Sequence, residues 1–130
     1  MLEKLSVGTL EAIFDTLPVD LTFVDETDTV SYYSRGEKRI FKRSPAVIGK
    51  KVQNCHPQQS VHKVNQVVSN LKSGKSDVAA FWIDLKGRKV YIRYFPVRDK
   101  AGNYLGTLEV TQDITDLQKI TGEKRLLDEG

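Results

Sequence analysis

Residues 77–115 read DVAAFWIDLKGRKVYIRYFPVRDKAGNYLGTLEVTQDIT. Three runs rich in β-branched and aromatic residues, DVAAFWIDL, KVYIRYFPV and NYLGTLEVTQDIT, are separated by KGR and DKAGN, both built of turn-forming residues. The pattern predicts three consecutive antiparallel strands. Upstream, residues 20–34 read DLTFVDETDTVSYYS, where Leu21, Phe23, Tyr32 and Tyr33 flank the acidic turn DETD, so a hairpin is expected there. Five strands therefore stand in two groups.

The segments around and between these groups carry helical signals. From residue 57 to residue 71, Val61, Val64, Val67, Val68 and Leu71 recur at helical spacing, Pro57 suits a first turn, and Gly74 lies just past the end. Leu2, Leu5, Leu10, Ile13, Phe14 and Leu17 give residues 2–17 an apolar face, with Pro18 ending an amphipathic helix. Residues 35–51 read as short helical pieces interrupted by Pro45 and closed by Gly49. Thr115 and Gln118 form a T-x-x-Q capping box, which predicts a final helix over 116–127 that Gly122 weakens.

A chain of 130 residues that is 39% hydrophobic and 28% charged fits one domain with a real core, without repeat, linker or low-complexity segment. No apolar run approaches the roughly 18 residues of a membrane span, and the acids near the start do not suit a signal peptide, so a cytoplasmic, non-membrane protein is expected. The single cysteine cannot form an intrachain disulfide, which agrees with a reducing compartment. Of the net charge of +3, the basic side is concentrated in Arg35, Lys38, Arg39, Lys42, Arg43, Lys50 and Lys51 against Glu37. We read this run as a solvated helical face in preference to a phosphate-binding patch, so nucleic acid is not an expected partner. No nucleophile with a base, no paired catalytic carboxylates, no phosphate-cradling loop and no metal-ligand cluster appears, so an enzyme is not expected.

The order helix, two strands, short helices, longer helix, three strands and exiting helix resembles the PAS sensory fold. The residues that carry the resemblance are AIFDTLPVDLTFVDETDTVSYYS (12–34), VIGKKV (47–52) and RYFPVRDKAGNYLGTLEVTQDIT (93–115), whose closing Asp113, Ile114 and Thr115 lead toward a signalling helix. More narrowly, CHPQQSVHKV (55–64) and GEKRLL (122–127) resemble the PAS module that closes bacterial and archaeal DUF438/hemerythrin-domain proteins. The resemblance implies an α+β fold: a five-stranded antiparallel sheet with helices on one face, plus an N-terminal amphipathic helix. It divides the chain into that helix (1–18), a PAS core (19–116) and an exiting helix or tail (117–130). It implies a sensory module that binds a small molecule in an interior pocket and relays the change through its terminal helices. The alternative is a ligand-free dimerisation module. Expected partners are a second copy, forming a homodimer, and other domains of a longer parent protein.

The candidate site begins at Cys55, His56 and His62. A flavin-reactive cysteine of the PAS photoreceptor kind would fall on Val52 when Gly49 is matched to the motif's glycine, and Trp82 and Val90 occupy the positions of the flavin-holding amides, so flavin is not expected. Cys55 is read as a small buried hydrophobe, redox-sensitive if the helix start lowers its pKa. HPQQS resembles the H-P-x-x-S segment of heme-binding PAS domains in carbon-monoxide-responsive regulators, which makes heme a candidate cofactor and His56 its iron ligand. The second ligand of those regulators is a methionine, and Ala80 stands at that position here. The other reading has His56 hydrogen-bonded to a carbonyl near a helix start. His62 lies roughly 240° further round a regular helix, so the two histidines do not share an ion. Strand alternation proposes Val78, Ala80 and Trp82, then Val90, Ile92 and Tyr94, then Thr107, Glu109 and Thr111 as the inner set. An inward Glu109 needs a partner, for which Arg93, Tyr94 or a polar ligand would serve. Leu108 and Val110 then face outward, to be covered by the N-terminal helix or a second subunit. Ligand contacts are expected at His56, Ser60, Trp82, Ile92, Tyr94 and Glu109.

Overall fold

A computed structural model describes residues 1–56 and 58–128, with the side chains of Glu37 and Cys55 outside the description. The expectations for Pro57 and for the Cys55 thiol therefore lie outside the described residues. Strands β1 (Asp20–Asp25), β2 (Val30–Tyr33), β3 (Ala79–Leu85), β4 (Arg88–Arg98) and β5 (Tyr104–Asp113) form one antiparallel sheet in the order β2-β1-β5-β4-β3. The α+β fold expected from the sequence is the one observed. Each hairpin forms where turn chemistry dictates: the Asp25 carboxylate accepts from the Thr27 and Thr29 amides at 2.9 and 3.1 Å and from the Thr27 hydroxyl at 2.7 Å. Asp99 does the same for Ala101 and Asn103 in the β4–β5 turn.

Helix α1 (Val7–Thr16) is shorter than the 2–17 helix expected. Its start is set by Ser6, whose hydroxyl accepts from the Thr9 amide at 3.1 Å, so residues 2–4 form a separate 3-10 turn. Helix α2 (Val61–Ser73) follows a 3-10 turn at Gln58–Ser60 and ends on Gly74, whose φ of 81° supplies the left-handed cap. Residues 35–51 contain 3-10 turns at Gly36–Lys38 and Pro45–Val47, and a third follows at Val52–Cys55.

The exiting helix is a correction. Only Leu117–Lys119 forms a 3-10 turn, Gly122 takes a φ of 63°, and Leu126 and Leu127 are more than nine-tenths exposed. A capping box cannot hold a helix whose apolar residues have nothing to pack against. The start of this tail is nevertheless anchored. Arg88 Nε donates to Asp113 at 2.7 Å, the Ile114 amide donates to the Lys89 carbonyl at 2.8 Å, and the Thr115 hydroxyl takes the Lys89 amide at 2.7 Å. Bonding to Arg88 first, then to Thr115, holds the Asp113 carboxyl down at about 2.

One face of the sheet carries α2 and the core residues Val24, Val30, Val68, Leu71, Val90 and Ile92, all buried. Register assigns the faces. Glu109 pairs with Tyr94 and Thr22, and Thr111 with Ile92 and Asp20, so the inner parity expected for β4 and β5 is the observed one. β3 is inverted relative to expectation: Phe81 pairs with Ile92 and Ala79 with Tyr94, which turns Ala80 and Trp82 outward, and Trp82 is 64% exposed. Both parities of this strand are apolar, so alternation alone could not choose between them.

The outer face carries Trp82, Tyr91, Arg93, Phe95, Leu108 and Val110. Arg93 lies over the Tyr91 ring at 4.7 Å and Trp82 meets Tyr91 edge-on at 6.3 Å. Helix α1 touches the β2 edge through Phe14 on Tyr32, ring centroids 5.9 Å apart, and Asp15 accepts from the Arg35 amide at 2.7 Å. No residue of α1 is buried, and Ile13, Phe14 and Leu17 remain 38–44% exposed.

Candidate functional site

The segment between β2 and α2 decides what the inner face can bind. Arg39, expected on a solvated face, is 3% exposed. Its guanidinium donates to the Phe41, Leu21 and Ser34 carbonyls and to the Thr22 hydroxyl at 2.9–3.0 Å, which fastens residues 34–41 to β1. Nearby, Asp20 is 1% exposed, takes the Ile40 amide at 2.6 Å and has Arg35 Nε at 3.7 Å. Desolvation lowers the Arg39 pKa, and Asp20 opposes that shift. The basic run is a correction in two places, because Arg43 is also turned inward.

With this segment in place, a cavity of about 560 Å³ opens between the sheet and α2. Its walls are apolar: Val24 from β1, Val47 and Val52 from the 3-10 turns, and Val64, Val67 and Val68 from α2. Phe81 of β3 stacks against Tyr94 of β4 at 6.1 Å between centroids and closes one side. Polar groups converge at one wall, where Arg43 Nη2 donates to Glu109 Oε1 at 3.3 Å. Burial first, then the neighbouring Glu109 charge, push the Tyr94 phenol well above its ordinary value. Arg43 Nε is buried without an acceptor.

Of the residues read as ligand contacts, His56, Ser60, Tyr94 and Glu109 line this cavity. Ile92 is 4% exposed in the core beside it, and Trp82 is on the opposite face. Glu109 takes Arg43 as its ion-pair partner, while Arg93 pairs with Val110 across the strands and belongs to the outer face. His56 Nδ1 lies 2.9 Å from the Val52 carbonyl. A carbonyl only accepts, so Nδ1 carries a proton, which leaves Nε2 as the ring nitrogen able to present a lone pair. His62 is exposed. Arg43, read from the sequence as part of a solvated basic run, also lines the cavity, as do Lys63 and Phe81, which were not read as ligand contacts. Lys63 follows Ser60 by one helical turn, and Arg43 follows Arg39 by four residues, which are the only signals that pointed to them.

Among the described residues no group of three or more His, Cys, Asp or Glu stands close enough to hold a metal ion, and no helix is long and apolar enough to cross a membrane.

Comparison with known proteins agrees with this geometry. A family profile described as PAS domain matches residues 10–115. A C-terminal domain from Streptococcus mutans is 35% identical, with a TM-score of 0.84 over 90% of this chain and 91% of that one. The PAS domain of a Colwellia psychrerythraea protein shares the fold at 15% identity and a TM-score of 0.62, over 85% of this chain and 98% of that one. A sensory box sensor histidine kinase from Vibrio cholerae does so at 14% identity and 0.56, over 83% and 91%. No curated protein matches.

Proposed function

This chain belongs to the PAS domain family, and on that premise we propose that it is a sensory module whose input is a small, largely apolar molecule held in the cavity between α2 and the sheet. The observation that carries the reading is the cavity itself. Its volume of about 560 Å³ falls in the ~300–1,000 Å³ range of ligand sites, and it combines apolar walls with a few convergent polar groups. Occupancy would be felt at α2 and at residues 39–56, which form its lid, and through β4 and β5 at the Arg88–Asp113 anchor where the chain leaves the sheet. The Streptococcus mutans relative is a C-terminal domain, which supports a place for this chain within a longer protein, as the DUF438/hemerythrin resemblance implies.

A second reading rests on His56. A proton on Nδ1 fixed by the Val52 carbonyl is the arrangement that orients an imidazole to ligate through Nε2. Heme would be held by His56 without the second ligand of the carbon-monoxide-responsive regulators, because Ala80 has no donor atom and lies on the outer face. Bound there, the iron would supply gas or redox sensing. Added hemin should then give a sharp Soret band that His56→Ala abolishes and His62→Ala preserves. A broad spectrum from all three proteins sinks the heme reading. The cavity reading is tested separately with uncharged N-phenylnaphthylamine, whose emission should rise and shift to the blue on binding; Val67→Trp, which fills the cavity, should prevent this.

The homodimer is proposed from two surfaces that lack cover, the apolar side of α1 and the outer sheet face at Trp82, Phe95 and Leu108. Light scattering should give twice the chain mass for the full protein and a monomer after deletion of residues 1–17. A monomer in both cases removes the proposal.

A further inference from the structure

We propose that the cavity selects an amphiphile with a single anionic head, of the carboxylate class, seated on Arg43 with its apolar chain among the α2 valines. The inference rests on the cavity being a ligand site and goes beyond that to the charge of the ligand. Three observations carry it. Two cations, Arg43 and Lys63, line the cavity against one anion, Glu109. Glu109 is already engaged by Arg43 Nη2 at 3.3 Å, so it offers little to a cationic head. Arg43 Nε, by contrast, is buried and lacks an acceptor, and Lys63 makes no ion pair among the described residues.

The physical argument follows from the donors. A guanidinium presents its N–H groups as a planar fork that matches a carboxylate, and one edge of Arg43 is left over after Glu109 is served. A carboxylate in the cavity meets the part of the Arg43 guanidinium that Glu109 leaves accessible, among valine side chains that lower the local dielectric and strengthen the contact. An alcohol satisfies that N–H more weakly, and an ammonium meets Arg43 and Lys63 as like charges. The other polar residues of the lining, Thr22, His56, Ser60, Tyr94 and Thr107, include no further lysine or arginine to read a second negative charge on the ligand, and the valines and Phe81 suit an apolar tail.

The test displaces N-phenylnaphthylamine from the protein with dodecanoate, dodecanol and dodecylammonium, which share a chain and differ in the head. Dodecanoate should bind at least about tenfold more tightly than dodecanol, as expected for hydrogen bonds to a charged group. Arg43→Gln should bring that ratio to about one. Glu109→Gln, which removes the negative charge competing for Arg43, should strengthen dodecanoate and leave dodecanol unchanged, and it keeps the inference testable if Arg43→Gln fails to fold. Displacement by all three heads at similar concentrations overturns the charge selection while leaving the cavity reading intact. Failure of the wild type to bind the fluorophore or any of the three removes the cavity reading and this inference together.

Discussion

Replacing Arg39 by methionine is expected to lower the unfolding free energy by about 3–5 kcal/mol, the range seen when one member of a buried charged network is removed. Methionine keeps much of the aliphatic stem, so the loss reads the guanidinium and not the packing. Four hydrogen bonds go with it, to the carbonyls of Phe41, Leu21 and Ser34 and to the Thr22 hydroxyl. The Leu21, Ser34 and Thr22 acceptors they leave are buried, where no water replaces the donor. Asp20, 1% exposed, would lose the nearest fully buried positive charge and keep only Arg35 at 3.7 Å. Lysine cannot substitute, because one ammonium cannot reach acceptors spread around a planar fork. The measurement is urea denaturation, with Lys38→Ala on the exposed side of the same segment as a control expected within about 0.5 kcal/mol of wild type. A loss below about 1 kcal/mol for Arg39→Met would mean that the network is not what holds residues 34–41 to β1.

That expectation also marks where the sequence was readable and where it was not. The five strands and their order along the chain followed from alternation and turn residues, both local signals, and α2 from valines at helical spacing capped by Gly74. The four cavity residues recognised in advance came from two sources, strand parity for Tyr94 and Glu109 and the helix start for His56 and Ser60. What failed was non-local. Nothing in the run of residues 35–51 says that Arg39 will find the Leu21 and Ser34 carbonyls and the Thr22 hydroxyl outside it, so a charge-rich segment read as solvated while the fold turned two of its arginines inward. The same holds for β3. Val78, Ala80 and Trp82 were as apolar as Ala79, Phe81 and Ile83, and only pairing with β4, with Phe81 opposite Ile92, decides which set faces the core. The C-terminal helix failed for a third reason: its capping box was local, but the packing that would stabilise it lies outside what these residues provide.

Gly106→Ala is expected to destabilise the protein by about 3 kcal/mol or more, at the upper end for overpacking, because the obstruction is backbone. A Cβ on Gly106 would stand 2.2 Å from the Val24 carbonyl oxygen and 2.5 and 2.8 Å from the Cζ and Cε1 atoms of the Phe23 ring. The ring can swing aside at moderate cost. The Val24 oxygen cannot, since β1 pairs with β5 on both sides of that point, Val24 with Thr107 and Asp25 with Gly106. Relief therefore requires the two central strands of the sheet to separate. The consequence reaches the cavity, because Val24 and Thr107 line it and Glu109 stands two residues further along β5. Phe23→Leu combined with Gly106→Ala separates the two sources of strain. If the ring dominates, the double variant recovers most of the loss relative to Phe23→Leu alone; with the carbonyl dominating, as the shorter distance indicates, it recovers little. Denaturation midpoints read the stability, and N-phenylnaphthylamine emission reads the cavity in the same samples. A Gly106→Ala protein within about 1 kcal/mol of wild type, with emission unchanged, would show that the β1–β5 seam yields where its register says it should not.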